Sequence, residues 1–467
     1  MSDSGTSSPR PTVIVIGASA AGLLAAAALT EYADITIVER DSLPNGPQLR
    51  RGVPQARHAH LVWSGGVRAF DELLPGIVDG IVDSGGRLVD IMADMVSRAP
   101  NEVWFRRFTT GRHQILVCSR SLLDSELRTR VLADRRITLR ENTTVLDLEG
   151  TASRVTGVRV KTGDEEHTLA ADLVVDSSGR GSRAPQWLQA LGLPMVTERE
   201  VNAGVAYASR LYRAPGTTAG TKFPLINVQA NPAKAPGQGG VIVPIENDQW
   251  IVTLSGTRGG EPTGDPEQFV DFALNLGDPI IGELLKTAEA ISGVATTRST
   301  ANHRRYYEKM NRWPDGLTVI GDAIASYNPV YGHGLTVAAQ CALAIREVLR
   351  TTTLNAPGTA QRLQKAASRP VAAAWDLAVG QDALYPGASG TPPTAVEKLL
   401  SRYVDRCVET GASNPRALNA LLDVMSLSKP ATRLFSPDML VAMLLGPKKP
   451  QLPTAPLRDD EWAAATA

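Results

Sequence analysis

The chain has 467 residues, of which 43% are hydrophobic, so it is long enough to build a large core divided among two or three domains. Its 48 Lys and Arg residues balance its 48 Asp and Glu residues, which argues against a nucleic-acid partner. It has no run of about eighteen uncharged apolar residues, and its three cysteines are far apart. We therefore predict a soluble, cytoplasmic globular protein without a membrane span or a disulfide framework, in which the cysteines are buried.

The first elements in chain order predict a nucleotide-binding fold. Residues 1–11 are rich in Ser, Gly and Pro and are expected to form a disordered leader. Residues 12–16 then predict a strand, residues 23–32 a helix and residues 35–38 a second strand. These elements form a βαβ unit of the size typical of dinucleotide-binding proteins. The fold class is therefore predicted to be mixed α/β, with a Rossmann-like first domain.

The loop between the first strand and the first helix is expected to contact a pyrophosphate. Its backbone N–H groups and the positive end of the helix would face the phosphates. Ser19 replaces the middle glycine of the G-x-G-x-x-G fingerprint, so an ordinary tight turn remains the alternative. Glu39 follows Gly17 by 22 positions, as expected for the carboxylate that binds the ribose hydroxyls. The loop residues assigned to the cofactor are Gly17, Ser19, Ala20, Ala21 and Gly22.

The rest of the chain predicts a second sheet and then a return to the first domain. Strand-like runs between residues 205 and 255, separated by Gly, Pro and Asn, predict an antiparallel sheet. Residues 317–320 predict another buried strand, and the Ala/Leu/Arg-rich sequence beyond it predicts helices. The predicted domains are 12–200 and 301–352 for cofactor binding, with a small β insertion, 201–300 for an antiparallel-sheet substrate domain, and 353–467 for a helical C-terminal region.

The segment around Asp322 points to a flavin. It resembles the ribityl-binding signature of flavoprotein monooxygenases, with Pro329, Gly332 and Gly334 before a helix that starts near Leu335. Asp322 can accept a hydrogen bond from a ribityl hydroxyl, and the glycines let the backbone approach the isoalloxazine ring. The positive helix end would lie beside the ring edge, where charge accumulates on reduction. This pattern predicts non-covalently bound FAD, the alternative being an Asp-capped turn.

Two further segments agree with a flavoprotein. Arg120 opens the pattern R-x-x-L-x-x-x-L-R, and in the same monooxygenases this arginine looks toward the FAD phosphates. His58 and His60 have no Cys or carboxylate spaced to complete a metal site, so we predict no metal and a loop at the flavin edge instead. The remaining residues assigned to FAD are Arg40, Arg51, Gly52, Val53, Arg120, Asp322, Pro329, Gly332, Gly334 and Leu335.

From residue 12 to about residue 385, the chain resembles the flavin-dependent epoxidases of polyether ionophore biosynthesis, of the monensin and lasalocid type. These enzymes belong to the FAD-dependent, aromatic-hydroxylase-like monooxygenase superfamily. The resemblance is weaker at Ser178-Gly179, where many members have Asp-Gly, and in the C-terminal region. It is carried by residues 52–60, Ser64-Gly65-Gly66, Cys118-Ser119-Arg120, Leu123-Asp124, residues 255–260 and residues 328–334.

The resemblance implies a reaction in which the cofactor supplies the electrophile. FAD is reduced by NAD(P)H or by a separate flavin reductase, O2 adds to form a C4a-hydroperoxyflavin, and an alkene takes the distal oxygen. The implied substrate is a linear polyene polyketide, epoxidised in the biosynthesis of a polyether antibiotic. No side chain is assigned as a catalyst. Val53, Pro54 and the backbone around Pro329, Gly332 and Gly334 are expected to shape the flavin site.

Several other functions are compatible with the same fold. An isoprenoid double-bond reductase also takes long polyenes, and a phenol or quinone hydroxylase uses the same cofactor. A halogenase ordinarily has a W-x-W-x-I-P segment, which Trp250-Ile251-Val252 lacks. A lipid-binding protein without turnover would be expected to lose its FAD contacts, whereas Gly17, Glu39 and Asp322 are all present.

Overall fold

The computed structural model describes residues 9–109, 111–218, 222–298, 300–390 and 392–466. The first eight residues of the predicted leader lie outside the described residues. The strands are β1 (Thr12–Ile16), β2 (Asp34–Val38), β3 (Leu61–Val62), β4 (Arg87–Asp90), β5 (Met95–Arg98), β6 (Gln114–Val117), β7 (Ile137–Arg140), β8 (Thr143–Gly150), β9 (Val155–Thr162), β10 (Glu165–Ala170), β11 (Leu173–Asp176), β12 (Glu198–Val201), β13 (Ala206–Arg213), β14 (Leu225–Val228), β15 (Gln238–Ile245), β16 (Gln249–Gly256), β17 (Ala295–Thr297), β18 (Asn302–Arg305), β19 (Leu317–Val319) and β20 (Ala325–Ser326).

The helices are concentrated around the first domain and in the last quarter of the chain. They are α1 (Ala20–Leu29), α2 (Ser64–Leu73), α3 (Ile77–Asp83), α4 (Arg120–Leu132), α5 (Ala184–Ala190), α6 (Phe269–Leu274), α7 (Ile280–Leu285), α8 (Gly334–Leu349), α9 (Thr359–Asp382), α10 (Ala395–Gly411), α11 (Pro415–Met425), α12 (Pro437–Leu445) and α13 (Asp459–Thr466). Within the described residues, no helix has both the length and the apolarity needed to cross a membrane.

A five-stranded parallel sheet forms the centre of the first domain, in the order β19-β11-β1-β2-β7. The central strands β1 and β11 are rich in β-branched residues and are buried almost throughout, as is typical of a parallel sheet covered on both faces. Because the carboxyl ends of parallel strands meet at one edge, the residues that follow them come together. Gly17, Glu39, Ser177 and Asp322 therefore reach the same edge of the sheet.

The second sheet has six strands in the order β17-β13-β16-β15-β14-β5. Neighbouring strands among β13 to β16 pair antiparallel, as the strand-like runs between residues 205 and 255 predict. Strand β5 adds a parallel edge to β14 and comes from far earlier in the chain. Its four residues, Met-Val-Ser-Arg, are too short a run to predict a strand from sequence. The predicted β insertion is also present, as the antiparallel sheet β10-β9-β8.

Helix α9 belongs to the core of the first domain, although the sequence placed it in the C-terminal region. Its buried Leu363, Val371 and Trp375 pack in the same core as β1 and β11. The side-chain amide of Gln364 also bonds the backbone of Val319, accepting from its N–H at 2.8 Å and donating to its carbonyl at 3.3 Å. A domain boundary at residue 352 would therefore divide one core, whereas α10, α11 and α12 share a separate apolar cluster.

The cysteines are buried free thiols, as the sequence predicts. Burial, the largest cause, raises the pKa of the Cys341 thiol to about 12 and that of Cys407 to about 11. Because the thiolate is the reactive form of cysteine, these two side chains behave as small apolar residues at neutral pH.

Candidate functional site

A cavity of about 1410 Å3 lies where the two sheets and the C-terminal helices meet. Sites for a single small molecule are usually about 300–1000 Å3, so this volume can hold part of a large cofactor together with a second molecule. Its wall includes residues of the loop after β1, of α10 and of α11. Residues of the second sheet, including Leu225, Val241 and Val243, form one side.

The loop after β1 has the geometry required to hold a phosphate. Gly17 has φ +97°, and a Cβ on Gly22 would lie 1.9 Å from the carbonyl oxygen of Gly17, so both positions require glycine. Ser19 precedes α1 and its side chain does not cap the helix. Free N–H groups at the start of a helix suit an anion. Ser19, Ala20 and Ala21 line the cavity, so the predicted pyrophosphate loop faces a space large enough for the ligand.

Glu39 is buried beside this loop, but it is already bonded within the protein. Its Oε2 accepts from the Ala18 N–H at 2.8 Å and from Arg50 Nη2 at 2.9 Å, and its Oε1 accepts from the Asp41 N–H at 3.0 Å. A carboxylate offers about four acceptor sites, so one remains available for a ribose hydroxyl. The ribose contact stays a prediction. Arg50 was not assigned to the site from sequence, because nothing in its neighbourhood indicates which carboxylate it meets.

Asp322 offers an acceptor to the cavity. It follows β19, lines the cavity and is partly buried. Desolvation is the main cause that raises the pKa of its carboxyl, against the opposing charges of Arg120 and Arg180. Among the described residues, no side chain or backbone N–H donates a hydrogen bond to this carboxylate. A partly buried acceptor without a donor fits a ligand hydroxyl, such as that of a ribityl chain.

Arg120 stands at the first position of α4 and also lines the cavity. It is 8% exposed, and its Nε donates to Asp124 Oδ1 at 2.7 Å. The ion pair fixes the guanidinium while leaving its remaining N–H groups free to meet an anion. Its role toward the FAD phosphates stays a prediction.

Residues 328–334, here called the flavin loop, form a short 3-10 helix followed by a left-handed turn at Gly332, with φ +65°. Pro329, Gly332, Gly334 and Leu335 all line the cavity. A Cβ on Gly332 would lie 3.0 Å from Leu61 Cδ1, so glycine permits this close approach as well as the turn. The indole Nε1 of Trp63 donates to the carbonyl of Tyr331 at 2.9 Å and supports the loop from the other side.

A buried carboxylate on the last turn of α9 holds the flavin loop from behind. Asp382 is 1% exposed and accepts hydrogen bonds from Tyr331 Oη at 2.5 Å, Asn328 Nδ2 at 3.0 Å and Asn302 Nδ2 at 2.6 Å. Tyr207 Oη donates to Asn328 Oδ1 at 2.5 Å. Burial raises the pKa of Asp382, and the three donors oppose that shift. The sequence did not indicate this residue, because its partners are 51 to 80 positions away.

The residues predicted between positions 40 and 54 do not gather at the large cavity. Arg40 and Arg51 line a separate cavity of about 440 Å3. Gly52 contacts Asp41 so closely that a Cβ would lie 2.1 Å from Asp41 Oδ2. Val53 and Pro54 line neither of these two cavities, whereas Gln55 and residues 58–61 line the large one. The cofactor roles assigned to this segment stay predictions.

The two histidines of the same segment bond to protein oxygens. His58 Nδ1 lies 2.8 Å from Ser209 Oγ, which ties the segment to the second sheet. His60 Nδ1 lies 2.9 Å from the carbonyl oxygen of His58, and burial lowers the pKa of His60 to about 4. Over the described ranges, no group of three or more His, Cys, Asp and Glu side chains is close enough to hold a metal ion.

These features agree with a family comparison. Residues 10–378 match the model of a family described as an FAD binding domain. Because the match covers most of the chain, the protein belongs to this FAD-binding family. It is also 30% identical over 395 residues to Protein Rv3254 of Mycobacterium tuberculosis (strain ATCC 25618 / H37Rv), a similarity that covers 82% of each chain.

Proteins of solved structure that share this fold are named for different reactions. The flavin-dependent brominase Bmp2 is similar with a TM-score of 0.63 and 15% identity, over 89% of this chain and 93% of that one. The p-nitrophenol 4-monooxygenase PnpA from Pseudomonas putida DLL-E4 is similar with a TM-score of 0.60 and 13% identity, over 89% of this chain and 99% of that one. The anhydrotetracycline hydroxylase OxyS from Streptomyces rimosus is similar with a TM-score of 0.57 and 16% identity, over 90% of this chain and 76% of that one. At these identities the similarity concerns the fold.

Proposed function

We propose that this protein is an FAD-dependent epoxidase that acts on the alkenes of a linear polyene polyketide in polyether antibiotic biosynthesis. The observation that carries the proposal is the large cavity, whose wall includes both the flavin loop and apolar side chains of α11 such as Leu418 and Leu422. A cavity of this volume with apolar walls would take an extended apolar chain. The resemblance of residues 52–60 and 328–334 to the polyether epoxidases adds support.

The two histidines of the cavity wall and the nearby Asp382 carboxylate support an alkene over a phenol. Hydroxylation of a phenol requires a base that can take its proton, and phenols have a pKa near 10. Burial lowers the pKa of both His60 and His333 to about 4, so each is a weak base. The Asp382 carboxylate already accepts hydrogen bonds from Tyr331 and two asparagines. Transfer of oxygen to an alkene needs no such base.

FAD would be held by the groups of the protein that face the cavity. The loop at Ser19 and Ala20 would bind the pyrophosphate, Asp322 would accept from the ribityl chain, and the flavin loop would flank the ring. Bound FAD would supply the activation of O2 for transfer of one oxygen atom. The protein would position the double bond and exclude water from the ring. NAD(P)H or a separate flavin reductase is proposed as the electron source, and the cytoplasm as the site of action.

The test is a single turnover with isotopically labelled oxygen. The FAD-loaded protein is photoreduced without oxygen and mixed with buffer containing 18O2 and a linear polyene. We expect the polyene to gain one labelled oxygen atom per modified alkene, whereas a saturated chain of equal length and a simple phenol remain unchanged. Loss of a double bond before oxygen is admitted would overturn the proposal in favour of a reductase. Labelling of the phenol alone would overturn it in favour of a hydroxylase.

A further inference from the structure

Large apolar side chains are exposed at the entrance to the cavity. Thirteen large hydrophobic side chains are exposed within the described ranges, and eight of them lie between positions 396 and 445. Apolar side chains scattered singly over a surface are ordinary, but a concentration of this kind marks a surface that binds something. We call these eight the apolar collar: Val396, Leu399, Leu400, Phe435, Leu440, Val441, Leu444 and Leu445.

The collar belongs to elements that pack against one another. The rings of Tyr403 on α10 and Phe435 before α12 are stacked with centroids 4.9 Å apart. Thr410 Oγ1 on α10 lies 3.5 Å from Met443 Sδ on α12. Buried Met439 and Ala442 fill the interior of this helical unit, while Leu444 remains 87% exposed. The exposed side chains therefore sit on a structured support.

The collar also borders the cavity. Leu400 and Phe435 are 45% and 49% exposed, yet both line the cavity that reaches the flavin loop. A side chain that faces both solvent and the cavity marks an opening between them. Whatever binds the collar therefore lies next to the point at which an apolar molecule would enter.

The charges in this part of the chain favour an anionic partner. Residues 394–450 contain eight Lys and Arg and five Asp and Glu, a net charge of +3, in a chain whose overall net charge is zero. Lys448 and Lys449 are exposed directly after α12. Apolar side chains next to basic ones are typical of helices that lie in the headgroup region of an anionic bilayer.

We propose that the apolar collar docks the protein on the surface of a membrane containing anionic lipids, so that an apolar substrate passes from the bilayer into the cavity. A second copy of the chain fits these observations less well. In a two-fold dimer the same surface faces itself, which would bring the net positive charge of one copy against that of the other. It would also cover Leu400 and Phe435 at the opening. Entry of the substrate from the bilayer rests on the proposed function, whereas docking itself does not.

Flotation with lipid vesicles tests the docking. The full-length, FAD-loaded protein is mixed with vesicles of phosphatidylcholine plus phosphatidylglycerol, or of phosphatidylcholine alone. We expect flotation with the anionic vesicles and much less with the neutral ones. The double change Leu444→Ser and Leu445→Ser should lower the bound fraction about tenfold or more, because two large apolar side chains no longer leave water. Met195→Ser, which alters a side chain 76% exposed elsewhere on the surface, should leave binding unchanged.

The outcomes separate docking from the reaction. Absence of flotation with anionic vesicles, or equal flotation of the double variant, would overturn the proposal. A wild-type dimer in solution that the double change dissociates, without vesicle binding, would assign the collar to a second copy. Labelled oxygen should appear equally in a short water-soluble alkene with both proteins, and only the wild type should oxidise a vesicle-bound polyene efficiently. Failure of both proteins on both alkenes would overturn the epoxidase, while flotation would still report on docking.

Discussion

The hydroxyl of Tyr331 lies 2.5 Å from the carboxylate of Asp382, to which it donates a hydrogen bond. This bond joins the flavin loop to the last turn of α9, a helix that packs in the core of the first domain. The position of the loop therefore depends on a helix that follows it in the chain, as well as on the strand that precedes it.

Replacing Asp382 tests this dependence. Asp382→Asn would place a side-chain N–H group against the amide donors of Asn302 and Asn328. We expect the free energy of unfolding to fall by about 1–3 kcal/mol, and FAD binding to weaken, because buried donors lose their acceptor. Urea unfolding and titration of flavin fluorescence measure the two effects. Asp164→Asn, at an exposed turn, is the matched control, and unchanged FAD affinity in Asp382→Asn would refute the positioning role.

In the protein without FAD, replacing Asp322 should change stability little, in contrast to replacing Asp382. Its carboxylate accepts no hydrogen bond from the described residues and is desolvated, so Asp322→Ala should change the free energy of unfolding of the apoprotein by less than about 1 kcal/mol. FAD affinity should fall about 10- to 150-fold, the equivalent of one hydrogen bond to a partly buried charged acceptor. Titration of the apoprotein with FAD measures this. A large loss of apoprotein stability with normal FAD affinity would make Asp322 a structural residue.

Gly22 should tolerate no side chain. A Cβ at this position would lie 1.9 Å from the Gly17 carbonyl oxygen and 2.7 Å from Ser177 Oγ, and the closer contact is with backbone that cannot move away. Gly22→Ala is expected to lower the free energy of unfolding by about 1–3 kcal/mol or more and to abolish FAD retention during purification. Gly181→Ala has no atom within 4 Å of the added Cβ and serves as the control. Normal flavin content in Gly22→Ala would contradict the described loop.

Stability should fall as the pH is lowered from about 6.5 to about 4. Burial depresses the pKa of His333 to about 4 in the folded protein, whereas the unfolded chain takes up that proton near pH 6.5. His333 therefore costs no stability above about pH 6.5, where it is neutral in both the folded and the unfolded chain. At pH 4 it would lower the free energy of unfolding by up to about 3 kcal/mol. Urea unfolding at several pH values should show a shallower loss for His333→Gln than for the wild type. Exposed His167→Gln should follow the wild-type curve.

Local signals in the sequence were enough to predict the βαβ unit at the start of the first domain. Residues 12–39 contain a complete βαβ unit, and Asp322 comes three residues after the buried strand β19, so the cofactor roles predicted for them rest on neighbours along the chain. No local pattern in the sequence indicated Asp382 or Arg50, because only the tertiary fold brings each of them to its hydrogen-bond partners. Strand β5 could not be predicted from the sequence for the same reason, because its pairing with β14 joins residues about 130 positions apart. The reaction is still harder to predict from sequence, since it depends on which substrate the cavity admits.

The amide of Gln364 has a consequence for solubility. Strand β19 is the outer strand of the parallel sheet, and a bare strand of this kind is a template for pairing with another molecule. By occupying the N–H and the carbonyl of Val319, Gln364 terminates the sheet with a side chain rather than with a further strand. Helix α9 thus covers this strand edge, and we expect a chain cut before residue 359 to aggregate through it, even though every residue predicted to bind FAD precedes the cut.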